Sequence, residues 1–293
     1  MSDYRAGENG RGDAGDEVDH GLQARLGREP RERRQVVKYT IFAADPVWRR
    51  LPAEERARQK AELAATIEEE ATRCYVLRSY NLVGMHTAAD LMLWSVTDTL
   101  EEQSALLSHI YGTGLGAYLT VTHSYLAMTK RSQYVRDHVH EGQEGSRLTV
   151  VPGEAKYLFV YPMVKARPWY SLPFEERNSA MREHIKLGHR YPTVKINTSY
   201  SFGLDDQEFV VAFESDYPED FLDLVEELRG SRSSSYTERD VPIFTGIAQE
   251  IRVALDALDG GGRRQTADGS EETAVGRRRM EEAASVSRHG RQA

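Results

Sequence analysis

At 293 residues and 40% hydrophobic content, the chain is long enough for one large or two small soluble domains, and its formal net charge of −8 argues against a general nucleic-acid binder. Its single cysteine, Cys74, excludes an internal disulfide framework and a cysteine-rich metal site. No apolar run reaches the roughly 18 residues of a membrane span, and the polar start Met1-Ser2-Asp3-Tyr4-Arg5 lacks the apolar core of a signal peptide, so the expected location is cytoplasmic.

Residues 1–35 are rich in Gly, Asp, Glu and Arg, with Tyr4 their only aromatic, and residues 258–293 contain no Phe, Trp or Tyr. Neither segment carries enough apolar surface to offset the entropy of ordering, which predicts disordered tails at both ends. Between them the sequence reads as an N-terminal half (36–129), a linker rich in Gly and charge (130–153) and a C-terminal half (154–257).

The first half opens with a strand around Val37–Phe42 and a motif, Trp48-Arg49-Arg50-Leu51-Pro52-Ala53-Glu54-Glu55-Arg56, that opens a helix. Strands near Cys74–Tyr80 and Leu91–Ser95, a helix over Leu100–Ile110 and a strand over Ala117–Leu126 follow. The second half repeats this order. A strand over Lys156–Tyr161 precedes Trp169-Tyr170-Ser171-Leu172-Pro173-Phe174-Glu175-Glu176-Arg177, a second copy of the motif. In both copies Pro is placed early, where its missing N–H costs nothing, and acids fill the first turn. The second helix runs from Pro173 to Arg190, followed by strands near Val194–Ser201 and Glu208–Phe213, a helix over Pro218–Arg229 and a strand around Ile243–Ile247. The order βαββαβ, twice, is the ferredoxin-like α+β pattern, and two such units can close their sheets into one barrel-like body that hides strand edges.

The chemistry is concentrated in the second half. Tyr161, Met163 and Lys165 share one face at the end of a strand, because strand side chains alternate. Such a trio is either an ordinary amphipathic edge or a site in which Tyr donates a hydrogen bond and Lys offers a point charge to a carboxylate. On the following helix, Phe174, Arg177, Ala180, Met181, His184, Leu187 and Gly188 fall on one face by 3- and 4-residue spacing, with Arg182, Glu183 and Lys186 elsewhere. An inward His is either a satisfied core residue or a ligand. The repeat bears on this choice, since the position equivalent to His184 in the first half is Leu63; one half carries a site and the other is scaffold. An imidazole, a phenol and a lysine gathered together point to a porphyrin pocket. Arg229 reads as a helix-terminal cation or a carboxylate binder, with hydroxyls from Ser231 to Ser235 beyond it. Gly112-Thr113-Gly114-Leu115-Gly116 follows a helix rather than a strand, so it reads as a loop and not a dinucleotide fingerprint, and Asp205-Asp206 reads as a turn.

At these residues the chain resembles the chlorite dismutase-like superfamily and, within it, the coproheme decarboxylases of haem biosynthesis. The resemblance spans about Val36 to Ile251 and rests on Tyr-Pro-Met-Val-Lys at 161–165, the Trp169 motif, His184 and Ser201-Phe-Gly-Leu-Asp-Asp-x-Glu-Phe. It implies a dimeric α+β barrel within one chain, assembled as a homopentamer. It also implies iron-coproporphyrin III bound in the second half, and a hydrogen-peroxide-dependent decarboxylation of two propionates to give haem b through a three-propionate intermediate. By position, His184 resembles the proximal iron ligand, Tyr161 the tyrosine that becomes a radical, Lys165 the propionate-anchoring lysine and Met163 part of the same wall. Arg229, with Ser233 or Ser234, resembles a further propionate contact. His138 and His140 in the linker are candidates for a distal base. Ile196 stands where true chlorite dismutases carry a distal Arg, which argues against chlorite decomposition. A haem peroxidase and a non-catalytic haem carrier or sensor are the competing readings, and a transient contact with ferrochelatase is the partner the resemblance implies.

Overall fold

Strand β1 (Val36–Ala44) is buried along both of its faces, which requires two layers of packing, one on each side of the sheet. The structure is a computed structural model that describes residues 32–134 and 148–260; residues 1–31, 135–147 and 261–293 lie outside the described residues, while Gln35 and Leu258, at the inner ends of the tails expected to be disordered, are buried. Helix α1 (Ala53–Ala71), strands β2 (Val76–His86) and β3 (Ala89–Thr97), helix α2 (Leu100–Tyr111) and strand β4 (Leu119–Met128) complete the first half. The second half consists of β5 (Tyr157–Lys165), the short α3 (Pro168–Ser171), α4 (Phe174–Gly188), β6 (Lys195–Tyr200), β7 (Phe209–Ser215), α5 (Pro218–Arg229), β8 (Thr237–Arg239) and β9 (Phe244–Ala248), followed by α6 (Ile251–Ala257).

Local chemistry explains these boundaries. A capping box between Thr99 and Glu102 starts α2. Pro218 sits in the first turn of α5 with Glu219 and Asp220, and Arg229 lies in its last turn, all in keeping with the helix dipole. The Leu-Pro motif differs from its sequence reading in one respect. Trp48 and Trp169 lie in separate short turns, and Pro52 and Pro173 are the N-caps of α1 and α4. The residue before a proline is pushed out of helical geometry; Leu51 and Leu172 accordingly take ψ values of 155° and 144°, which break each motif into a turn and a helix.

The strands form an antiparallel sheet in the order β7-β6-β4-β1-β3-β2-β9-β5, and pairing of β7 with β5 closes it into an eight-stranded barrel. Each half contributes the ferredoxin-like order, β4-β1-β3-β2 and β6-β7-β5-β9. The seams between halves are thin. β4 meets β6 at Met128↔Tyr200, and β2 meets β9 at Tyr80↔Ala248 and Asn81↔Ile247. Residues including Tyr39, Trp94, Leu158, Val160, Val210 and Phe244 fill the barrel interior. A second core lies between the first half's sheet and its helices, and a third between the second half's sheet and α5. Two elements were not anticipated from the sequence: β8, three residues attached to the end of β5, and α6, which adds Ile251, Ala254, Leu255 and Leu258 to the first half's core. No helix among the described residues is long and apolar enough to cross a membrane.

Candidate active site

The two halves differ most at the layer between sheet and helices. In the first half, Phe42 and Ala44 on β1 and Leu63 on α1 belong to one core; Phe42 and Leu63 are 0% exposed. Counting from the paired tryptophans, Thr40, Phe42 and Leu63, all buried, correspond to Tyr161 and Met163 on β5 and His184 on α4. These last three remain partly accessible, as do Leu187, Ile196 and Phe209 around them. Helix α4 packs mainly against α5, whereas α1 packs against α2, α6 and β2. The second half therefore has a crevice where the first half has a closed core. Its lining is mostly apolar with few polar groups, the composition common to small-molecule sites.

Each polar group in the crevice has a defined environment. Ser233 Oγ lies 3.2 Å from His184 Nδ1, and Ser233 is only 1% exposed. Nε2 of His184 has no hydrogen-bond partner among the described residues. Burial and the nearby Lys165 charge push the imidazole down to about 4, so it is neutral at pH 7 with a free nitrogen lone pair. Burial raises the Tyr161 phenol well above the ordinary tyrosine range, the Asp240 charge acting in the same direction and Arg229 against it. The group therefore keeps its proton, and its ring stacks on Phe213 with centroids 5.8 Å apart.

Lys165 is buried at the end of β5, where the strand pairs with β8 and the register of that pairing shifts between Val164 and Lys165. Its Nζ donates to the Ser233 carbonyl at 2.7 Å and to Thr237 Oγ1 at 3.1 Å, and lies 5.2 Å from the Trp169 ring centroid. Burial lowers its pKa to about 8, against the opposing pull of Asp240 and Glu208. Glu208 also accepts from the Lys165 backbone N–H at 2.8 Å and from the Tyr170 hydroxyl at 2.5 Å, fixing the strand end in place.

Tyr161 and Met163 pack on the same cluster, Lys165 is close enough to act electrostatically on His184, and Arg229 on Tyr161. Ser233 is turned toward His184, and Ser234 opens the short turn Ser234–Tyr236 behind it. Ile196 faces the same crevice from β6. His138 and His140 lie outside the described residues. Gly112–Gly116 is a loop ending in a short turn, and Asp205-Asp206 lies in the connection between β6 and β7, where Asp205 accepts from the Asp206 N–H at 2.8 Å and ties the loop to β4 by accepting from the Leu126 N–H at 2.9 Å.

Sequence reasoning assigned no role to two further groups. Asp240 is ion-paired with Arg229; an acid just ahead of Val-Pro gives no sequence signal of that proximity. Arg177, on the inward face of α4, has a buried Nε without a hydrogen-bond acceptor, while its Nη1 makes a 3.5 Å contact with the Tyr134 hydroxyl. A buried guanidinium N–H without an acceptor suits an anionic ligand, so the donor set fits a porphyrin bearing carboxylates. Two other recesses exist. One, of about 40 Å³, lies at the β4–β6 seam near Tyr39, Trp94 and Val150; the other, of about 420 Å³, lies by α2 near Lys38, Gln103 and Tyr111. Neither gathers an imidazole and a lysine beside a phenol.

The chain is similar to known proteins in sequence and fold. Over 213 residues the chain is 30% identical to a coproheme decarboxylase of Mycolicibacterium smegmatis, covering 72% of this chain and 90% of that protein. Its fold matches a chlorite dismutase from Candidatus Nitrospira defluvii solved with imidazole at a TM-score of 0.70 and 28% identity, covering 77% of this chain and 95% of that one. A haem-binding protein from Thermus thermophilus matches at a TM-score of 0.67 and 27% identity, with the same coverage of 77% and 95%. Residues 48–249 match the family described as chlorite dismutase, and the chain belongs to that family.

Proposed function

We propose that the protein is a coproheme decarboxylase, taking iron-coproporphyrin III as substrate and hydrogen peroxide as co-substrate. The observation that carries this reading is the partly open layer at Tyr161, Met163 and His184, set against the closed one at Thr40, Phe42 and Leu63. Each turnover removes one propionate carboxylate as carbon dioxide and leaves a vinyl group. Peroxide takes up the two electrons and is reduced, with the hydrogen released and one further proton, to two waters. Two turnovers give haem b through the three-propionate intermediate.

In this reading the porphyrin iron supplies the oxidising power when bound, and the protein supplies position. His184 Nε2 would hold the iron, with the imidazole oriented by Ser233 at Nδ1. Tyr161, kept as a phenol by burial, holds the hydrogen atom that is given up and regained beside the reacting side chain. Lys165 and Arg229 provide cations for the propionates, with Met163 as wall, Arg177 as a further donor and Ser234 at the rim. Ile196, in place of an Arg, disfavours chlorite chemistry. A general haem peroxidase or a haem carrier has no use for a phenol and a lysine aligned on one strand face. The resemblance extends the reading to a homopentamer in the cytoplasm with a transient ferrochelatase contact.

Anaerobic loading with iron-coproporphyrin III, followed by stepwise peroxide and mass analysis of the porphyrin, tests the reading. Sequential loss of two carboxyl groups is the expected result. Tight binding without a mass change would replace it with the peroxidase or carrier.

A further inference from the structure

The ion pair between Arg229 and Asp240 has no part in the reaction just described. Arg229 ends α5 with its side chain 50% exposed, and Asp240 lies beyond β8 with its side chain 20% exposed. After α5 the chain passes through the Ser234–Tyr236 turn and β8, and so brings Asp240 back to the helix end. There the Asp240 carboxylate acts electrostatically on both the Tyr161 phenol and the Lys165 ammonium. Arg229 is thus already paired with a carboxylate of the protein, whose charge also reaches Tyr161 and Lys165. The helix dipole accounts for an Arg in the last turn of α5. It does not account for an acid that neutralises that Arg beside two further donors.

We propose that Asp240 is a resident counter-ion that a substrate carboxylate displaces from Arg229, so that binding at this edge of the crevice exchanges one carboxylate for another. The inference rests on the porphyrin reading above. The consequence is thermodynamic. The ligand's gain at Arg229 is the difference between two ion pairs rather than the whole of one, because the resident pair must first be broken. With the crevice empty, Asp240 keeps Arg229 at the rim and its charge satisfied. Asp240 is therefore a positioning residue that lowers affinity for carboxylate-bearing ligands and leaves affinity for uncharged ones unaltered.

The test is a Soret titration of wild type, Asp240→Asn, Arg229→Gln and the double variant with iron-coproporphyrin III. The tetramethyl ester of the same iron porphyrin, which keeps the ring and removes the negative charges, serves as control. A partly exposed pair is worth up to about 1 kcal/mol, so Asp240→Asn should bind iron-coproporphyrin III roughly fivefold more tightly. The ester should show no such gain, and the gain should vanish in the Arg229→Gln background, a coupling that a packing role for Asp240 would not produce. Asp240→Ser, with the same expected direction, substitutes if the Asn variant does not fold. Unchanged or weaker affinity in a folded variant overturns the exchange, as does a gain that survives Arg229→Gln. A wild-type chain that binds no iron-coproporphyrin III overturns the porphyrin reading, and the exchange with it.

Discussion

Ser233 Oγ sits 3.2 Å from Nδ1 of His184 and thereby fixes which nitrogen of the imidazole is left for a ligand. The same serine receives the Lys165 ammonium on its carbonyl, at 2.7 Å. One buried residue therefore orients both the imidazole and the lysine. Supporting groups of this kind are worth about 10–100-fold in metal affinity. Ser233→Ala should weaken iron-porphyrin binding on the order of tenfold while leaving the fold intact. A titration against the Soret band, with the iron–histidine stretch followed by resonance Raman, reads the change. An unaltered stretch frequency would show that Ser233 does not act through His184.

Tyr161→Phe separates binding from chemistry. The ring that stacks on Phe213 is retained and only the hydroxyl is lost. Affinity for iron-coproporphyrin III should stay within about twofold, the discrimination expected of a group that contributes chemistry rather than binding. Carbon dioxide release should cease. Haem b formed by this variant at the wild-type rate would remove Tyr161 from the reaction.

His184 should make the empty protein sensitive to acid. Its folded pKa of about 4 lies below the ordinary value of 6.5, so the unfolded chain binds more protons between those values. Stability is then lost as pH falls through that window, by at most about 3 kcal/mol. His184→Leu, which matches the residue at the equivalent position, Leu63, should flatten the loss. Melting temperatures at pH 7 and pH 4.5 give the comparison, and an equal drop in variant and wild type would contradict the assignment.

Lys165 produces opposite pH dependences in binding and stability. Its folded pKa of about 8 lies below the ordinary 10.5, so between those values the unfolded chain binds the extra proton and stability rises with pH. Carboxylate affinity should move the other way and fall above about pH 8, as the ammonium is lost. Lys165→Met should remove both trends and, in the decarboxylase reading, stall the reaction after the first carboxylate is lost. Accumulation of a three-propionate porphyrin, seen by mass, is the expected signature.

The repeat made the architecture legible in the sequence, because Trp, Leu-Pro and Glu-Glu-Arg recur in equivalent contexts and apolar periodicity placed the strands and helices around them. His184 stood out because its counterpart, Leu63, needs no imidazole. Asp240 was not legible, since its meeting with Arg229 depends on the path of the chain through β8, a three-residue strand with no periodicity to read. α6 was missed for a related reason; its seven residues are too few to show a face. A run of hydroxyls does not reveal which one is turned inward; here it is Ser233, beside His184. The register shift at Val164/Lys165 is equally a property of pairing partners distant in sequence.

The thin seam between β2 and β9 gives the last prediction. A Cβ added at Gly246 would lie 2.8 Å from Tyr80 Cβ, 3.2 Å from Met92 Cε and 3.4 Å from Leu82 Cδ1. Tyr80 and Leu82 belong to β2 and are almost wholly buried in the barrel core, so neither can move aside cheaply. Overpacking of this kind costs about 1–3 kcal/mol, and here it falls beside a seam held by only two residue pairs. Gly246→Ala should lower the urea midpoint by the corresponding amount. Because the strain separates one half from the other, the variant should also populate a partly open state, visible as a reduced m-value or as early exchange of the β9 amides. A single unshifted transition would mean that closure of the barrel does not depend on close approach at Gly246.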